Sequence, residues 1–481
     1  MRLTPAEIAA ALGAEVVAEG ADEVPARATI DSATSGPGDL FFGLRGANRD
    51  GGEFAPAAIE AGAWGVVVGP SFRGSLSADV VGTEPRSADS SVRGSLSTDV
   101  VDREPRNGET RGAWVFAVAD PLVAMQSLAR AWRRALGARV VGVTGSVGKT
   151  SVKDIARTLL PGRVHANREN LNTEIGLPLT VLEAPDGCEL LVLEMAMRGA
   201  GQIAELAAIA EPEVAVITNV GPVHVELLGS VAAIAAAKAE VLDFLPADGI
   251  AIAPVDAGEL EPHLERAPRL LRFGPGGDVE ATESRVVEGV TEALISTPAG
   301  AQRFHFPFAE AHNLTNALAA VAAGVALGAP LAGMADRAAD IGFSRFRGER
   351  IELGDGIVLV NDCYNANPVS MRAALDHLAS LRAPRTVAVL GEMGELGPGA
   401  PGFHREVGEH ARTAGVDIVL GVGLPARDYG PDELVADPAE AAELLAAQLE
   451  PGDAVLVKGS RSAGLEAVAA LLLEAAPGGR A

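Results

Sequence analysis

"VVGVTGSVGKTS", residues 140–151, is a short apolar strand running straight into a glycine-rich turn, a lysine and two hydroxyls. The eight-residue phosphate-loop pattern G-x-x-x-x-G-K-[ST] fails here, because Val143 occupies the place of its first glycine. The shorter G-x-x-G-K-T fits, with Gly145, Gly148, Lys149 and Thr150. In such a turn the N–H groups of Gly145, Ser146, Val147 and Gly148, continuing into a helix that opens with Lys149, Thr150 and Ser151, cradle phosphates. Lys149 then spans the β- and γ-phosphates, and Thr150 ligates Mg²⁺. The stretch therefore predicts a parallel α/β domain that binds a nucleoside triphosphate.

Working outward, a simple nucleotide hydrolase would show an aspartate at the end of a neighbouring strand. Instead "LLVLE" ends in Glu194, and "VAVITN" runs into "VGPVHVELLGS". Glu194, Asn219 and His224 are thereby expected at or just past the carboxyl ends of strands, the crevice where α/β proteins bind ligands. Glu194 reads as a Mg²⁺ ligand, with a salt-bridged strand-end glutamate as the alternative. His224 follows a Gly-Pro turn beside the phosphate site and reads as a metal ligand.

The composition sets the frame. At 481 residues, 48% hydrophobic and 21% charged, the chain can build two to four globular domains. A net charge of −25 with no long basic run argues against nucleic acid or an anionic membrane as partner. Two cysteines, Cys188 and Cys363, cannot form a disulfide framework. The uncharged run 317–335 carries Pro330 and is read as a buried helix and a turn rather than a membrane span. "MRLTPAEIAAALGAEV" reads as a capped helix, not a secretory signal, so a cytoplasmic protein is expected. Of 39 basic residues four are lysine, Lys149, Lys153, Lys238 and Lys458, leaving 39 − 4 = 35 arginines. In so arginine-biased a chain the surviving lysines mark positions where a guanidinium is too wide or cannot give up its proton.

Apolar strands that do not strictly alternate, separated by helices, predict parallel sheets covered on both faces. The expected organisation is three α/β domains: a small N-terminal module (1–118), a central nucleotide-binding domain (119–346) and a C-terminal α/β domain (347–481). Residues 71–90 and 91–110 match at twelve of twenty positions. Their Ser, Gly, Pro and charge content cannot bury a core, so 71–110 is read as a duplicated, mobile insertion in a hairpin of the first module.

Taken in order, "TGSVGKTS", "NLNTEIGLP", "LEMAMRGAGQI", "NVGPVHVELLGS", "AAAKAEVL", "AHNLTNALAA", "RIEL", "NDCYNANPVSM", "VLGEMGELG" and "VLVKGSRS" resemble the ATP-dependent Mur ligases of peptidoglycan synthesis and their folylpolyglutamate synthase relatives. The resemblance covers nearly the whole chain outside 71–110. It implies a substrate-binding first domain, a P-loop ATPase-like central domain and a Rossmann-like ligase domain. "DCYNANPVSM" and "LGEMGELG" are in the style of the member that adds D-alanyl-D-alanine to UDP-N-acetylmuramoyl-tripeptide. The Asp-Asn-Pro-Arg typical of the member adding the third residue does not occur. The implied chemistry is phosphorylation of a terminal carboxylate by ATP, followed by displacement of phosphate by an amine, in a monomer whose partners are small molecules.

The resemblance also implies roles. Thr150 and Glu194 hold one Mg²⁺, and Glu194, His224 and Lys238 serve a second. An ammonium cannot ligate a metal, and in relatives the matching lysine is carbamylated by CO₂; a helix lysine paired with Glu240 or a phosphate is the alternative for Lys238. Asn313 matches an adenine contact, and Arg350 and Asp362 match phosphate and ribose contacts, although "RFRGERIEL" offers three arginines. Tyr364 is suited to stacking on or bonding to the nucleotide. Asn365 serves substrate or, with Asn367, shapes the turn before Pro368. Asn172, Thr173 and Arg198 would face the sugar-peptide, and Lys458 and Arg461 would offer cations from the third domain. The family's Asp-Ser-Arg and Asp-Gly-His read here as Asp31-Ser32-Ala33 and Asp50-Gly51-Gly52, which weakens the carry-over for uridine-nucleotide binding by Asp31 and Ser32 unless Arg45 or Arg49 compensates. Gln202 and Ala196 also depart, from an acidic residue and a glycine. A sister ligase adding another amino acid, or a regulatory nucleotide-binding relative, are the rival readings.

Overall fold

The computed structural model describes residues 1–72, 112–223 and 225–475. The duplicated segment beyond Phe72 and His224 lie outside the described residues. The chain forms two compact units, one of Met1–Ala138 with Glu174–Glu189, the other of Arg139–Thr173 with Leu190–Ala481.

The first unit opens with helix Pro5–Leu12. The Thr4 side chain accepts from the Glu7 amide while Glu7 accepts from the Thr4 amide, and left-handed Gly13 ends the helix. Five strands, β1 (Glu15–Ala18), β2 (Arg27–Thr29), β3 (Asp39–Phe42), β4 (Gly65–Val68) and β5 (Trp114–Ala117), form a sheet in the order β1-β5-β4-β3-β2. β1 runs antiparallel on the edge and the remaining pairs are parallel. Helix Gly176–Glu183 belongs here too: Trp132, on helix Pro121–Leu136, donates from Nε1 to the Ala184 carbonyl at 3.2 Å. One expectation is corrected. β4 and β5 are parallel, so the connection holding the repeat is a crossover and not a hairpin. Parallel strands need a crossover of about a dozen residues or more; removing one repeat copy is therefore the tolerable deletion, and removing 71–110 is not.

The second unit carries three sheets. β6 (Arg139–Thr144), β7 (Val164–Ala166), β8 (Leu190–Glu194), β9 (Val214–Ile217), β10 (Ile250–Pro254) and β11 (Arg269–Phe273) lie in the order β11-β10-β9-β6-β8-β7, all parallel. The chain starts at β6, moves to one side through β7 and β8, and then crosses to β9 on the other. Ligands bind at such a reversal, at the carboxyl ends of the strands. Val140, Val141 and Val143 of β6 are buried on alternate faces, which explains the continuous apolar run.

The antiparallel meander β12 (Glu280–Val287), β13 (Val290–Thr297) and β14 (Gly300–Phe306) departs from the all-parallel expectation. Its sequence is charged because one face is wet; the other buries Ala293, Ile295, Phe304 and Phe306 in the same core as helix Ala311–Ala326. The last sheet runs β15-β16-β20-β17-β18-β19, from β15 (Glu349–Gly354), β16 (Ile357–Asn361), β17 (Thr386–Leu390), β18 (Ile418–Val422), β19 (Glu433–Val435) and β20 (Ala454–Lys458), with edge strand β15 antiparallel. The uncharged run 317–335 forms the end of the buried helix, a turn and the start of helix Leu331–Arg337. Among the described residues no helix is long and apolar enough to cross a membrane.

Candidate active site

β6 stops at Thr144 and the backbone turns through Gly145 and left-handed Gly148 (φ +82) into helix Lys149–Leu159. A Cβ on Gly145 would overlap Thr218 Oγ1, and one on Gly148 would overlap Asn316 Oδ1. Gly148→Ala thus meets both a strained backbone, costing about 1–3 kcal/mol, and a collision. ADP affinity measured by calorimetry should fall about tenfold or more; an unchanged affinity would remove the phosphate-cradle reading.

The loop is pinned to the end of β9. The Ser146 and Val147 amides donate to the Asn219 carbonyl (3.0 Å) and to Asn219 Oδ1 (2.9 Å), and Ser146 Oγ accepts from the Gly221 amide at 2.9 Å. The sequence reading gave every amide of the turn to phosphate. In the structure these two are spent inside the protein, because a buried N–H must find a partner. The amides opening the helix, which have no intrahelical acceptor, remain for an anion.

Pairing of Val143 with Glu194 brings the end of β8 beside the loop. Glu194, 2% exposed, accepts from Thr150 Oγ1 at 2.7 Å and from Asn172 Nδ2 at 2.8 Å. A buried carboxylate beside a hydroxyl is a hard-oxygen donor set, the kind Mg²⁺ uses together with phosphate oxygens of its substrate. Lys149 and Lys238 both donate to the Gly145 carbonyl, each at 2.9 Å. Burial lowers the Lys149 ammonium, Glu194 opposes that shift and Arg347 adds to it. Lys238, buried on helix Val231–Ala239, is driven well below the usual lysine range by burial and then by the Lys149 charge. Glu240, the alternative partner for Lys238, instead accepts from the Gly201 and Ala204 amides.

The C-terminal sheet faces the loop across an open cleft. Asp362 follows β16 and Lys458 ends the adjacent β20, so their side chains meet at 2.6 Å, and Lys458 also donates to the Asn365 carbonyl at 3.0 Å. Asn367 caps helix Pro368–Ser380. Arg347 lies over the Tyr364 ring at 4.2 Å, and its buried Nε has no hydrogen-bond partner among the described residues. Burial raises the Tyr364 phenol above its usual range. Asn313 is buried, donates to Glu310 Oε2 at 3.3 Å and accepts from Asn316 at 3.3 Å; Glu310 in turn lies 3.4 Å from His377.

Ser146 to Ser151, Glu194, Asn313, Asp362, Asn365 and Lys458 therefore share one cleft. Lys238 reaches its floor through Gly145, and Asn172 through Glu194. Other named residues are not among those lining the cleft. Arg350 pairs with Glu352 at 3.0 Å on the solvent face of β15, as residues two apart on a strand do. Arg461 pairs with Glu466 at 3.1 Å, Arg198 lies 3.7 Å from Glu395, and Thr173 is exposed. Asp31, Ser32, Arg45 and Arg49 belong to the first unit. There Asp31 accepts from the Ala33 amide at 2.9 Å, and Arg45 lies 3.9 Å from Asp50. Of the three arginines in "RFRGERIEL" it is Arg347 that lines the cleft, because it precedes Gly348 and the start of β15. Glu310 and His377 had no motif to announce them.

The family models match in order along the chain: the Mur ligase middle domain over residues 143–324 and the Mur ligase, glutamate ligase domain over 346–461. The chain is 36% identical over 459 residues to the UDP-N-acetylmuramoyl-tripeptide--D-alanyl-D-alanine ligase of Synechocystis sp., spanning 92% of this chain and 90% of that one. It superposes on MurF from Acinetobacter baumannii with TM-score 0.81 and 27% identity, over 97% of this chain and 98% of the other. MurF ligase from Thermotoga maritima in complex with ADP gives TM-score 0.76 and 29% identity, over 93% and 96%. With two domain models matched in sequence order and a relative matched over nine-tenths of both chains, the chain belongs to the Mur ligase family of ATP-dependent amide-bond ligases.

Proposed function

We propose that this chain joins D-alanyl-D-alanine to UDP-N-acetylmuramoyl-tripeptide at the expense of ATP. The observation that carries the reading is the convergence of the phosphate loop, Glu194, Arg347 and the Lys458–Asp362 pair on one cleft. A carboxylate oxygen of the tripeptide attacks the γ-phosphorus of ATP and ADP leaves. The amine of the dipeptide then attacks the acyl-phosphate carbon, and inorganic phosphate departs with the C–O bond electrons.

Two anions must approach each other in the first step, so the site needs fixed positive charge. Lys149 and Arg347 supply it, together with the open amides at the head of helix Lys149–Leu159. Thr150 and Glu194 would hold a Mg²⁺, and Glu194, His224 and a carbamylated Lys238 a second; the ions would neutralise charge on the transferring phosphoryl group. Two amines on one carbonyl support the carbamate, since conversion of Lys238 to an anion turns a repulsive pair into an attractive one. Asn313 would meet the adenine, and Asp362, held by Lys458, the ribose. The N-terminal domain (1–118) would take the uridine nucleotide through Asp31, Ser32, Arg45 or Arg49, the central domain (119–346) ATP, and the C-terminal domain (347–481) the dipeptide, in a cytoplasmic monomer.

A panel of amine acceptors offered with UDP-muramoyl-tripeptide and MgATP tests this. D-Ala-D-Ala should give ADP and phosphate release at least about tenfold faster than single amino acids. Preference for another acceptor would make the chain a sister ligase, and ATP use with none of them would end the ligase reading.

A further inference from the structure

Lys153 and Asp154 form a buried ion pair that the ligation chemistry leaves without a task. Lys153 Nζ lies 2.9 Å from Asp154 Oδ1, with side chains 3% and 6% exposed. Burying both charges is costly, and a well-packed apolar pair is often as stable or more so. What the pair holds is specific. Lys153 Nζ donates to the Asn167 carbonyl at 2.9 Å. The Asn167 side chain then grips both backbone groups of Glu194: Oδ1 accepts from the Glu194 amide at 2.6 Å and Nδ2 donates to the Glu194 carbonyl at 3.3 Å. On the other side, Asp154 Oδ2 accepts from the amide and the hydroxyl of Ser344, both at 2.8 Å. Ser344 stands three residues before Arg347.

We propose that Lys153 is a positioning residue: through Asn167 it sets Glu194, and through Asp154 it sets the segment that carries Arg347. This rests on Glu194 being the carboxylate that meets Mg²⁺. Lys153 and Thr150 are one turn apart on the same helix, so the rung that orients Glu194 from behind is carried by the element that meets its carboxylate in front. The choice of lysine fits. A compact ammonium places two of its three donors on acceptors at 2.9 Å, where a wider planar guanidinium would displace Asn167.

The test uses the full chain carrying Lys153→Met with Asp154→Leu, which removes both charges at similar volume, and separately Lys153→Arg, which keeps the ion pair but not the Asn167 contact. Partners behind a metal ligand typically matter by about 10–100-fold in affinity or activity. The double variant should therefore keep its Tm within a few degrees, lose about 10–100-fold in kcat, and need about tenfold more Mg²⁺ for half-maximal rate, with KM for the tripeptide unchanged. Hydrogen exchange at the Glu194 amide should quicken about tenfold in protein free of nucleotide and metal. Lys153→Arg should stay impaired; a role limited to neutralising Asp154 predicts full recovery. Native kcat and native Glu194 exchange in a folded double variant would overturn the proposal, as would full activity in Lys153→Arg. Failure of both variants to fold would also overturn it, since the pair would then be structural. Glu194→Gln is the control: if it leaves the Mg²⁺ requirement unchanged, the metal assignment fails, while Glu194 amide exchange still decides the positioning role.

Discussion

Lys238→Arg is expected to cost as much as Lys238→Ala, about a thousandfold in kcat or ~4 kcal/mol of barrier. The residue is 2% exposed and its amine shares the Gly145 carbonyl with Lys149, so two like charges would meet where one acceptor serves both. Burial and the Lys149 charge favour the uncharged amine. An uncharged amine adds to CO₂: an N–C bond forms, a proton is released, and the lysine carries a carboxylate in place of an ammonium. That anion would sit beside Lys149 and offer oxygen to a metal. A guanidinium cannot give up its proton at neutral pH and cannot follow this route. A small carboxylate in solution should partly restore the alanine variant by filling the vacated ligand position, and the wild type in ¹³C-bicarbonate should show a carbamate resonance that Lys238→Arg lacks. Because formation releases a proton, the resonance should weaken as pH falls. Retained activity in the arginine variant with no rescue of alanine would leave Lys238 an ordinary buried cation.

The phosphate loop was legible because its residues are constrained one by one. Gly148 needs a left-handed φ that side chains avoid, Lys149 needs a flexible stem, and a strand must end just before them. Glu194 was legible for a similar reason, as the last residue of a buried strand next in the sheet. Arg347 was not, because three arginines within six residues differ only in where a turn ends and an edge strand begins. The Lys153–Asn167–Glu194 connection was invisible, since Asn167 sits in a loop with no periodicity and its partner is a backbone. The hairpin assigned to the repeat failed because strand direction is a long-range property: β4 and β5 look alike whether parallel or antiparallel. The meander escaped because its wet face hides its alternation among charges.

Lys149→Ala should abolish ATP turnover, by about 10³-fold or more, and leave Tm unchanged or slightly raised. The Lys149 ammonium donates to carbonyls of its own loop, Gly145 at 2.9 Å and Ser146 at 3.5 Å, and ties no distant elements together by those bonds. Its surroundings disfavour its charge: burial lowers it by more than Glu194 restores, and Arg347 adds a smaller push the same way. Lys238 shares the Gly145 carbonyl, and its burial beside Lys149 disfavours a second ammonium there. The Lys149 and Arg347 charges repel until an anion enters, and a triphosphate relieves the repulsion while gaining an attraction to each. Removing Lys149 therefore relieves the ligand-free protein and weakens the nucleotide complex. MgATP raises the Tm of a protein by binding its folded state, so the wild type should gain several degrees on adding the nucleotide and the variant little. Thermal scans with and without MgATP, beside a phosphate-release assay, check both halves. Normal turnover in Lys149→Ala would remove the phosphate-loop reading, and a large fall in Tm without nucleotide would show that the lysine holds the fold rather than the phosphate.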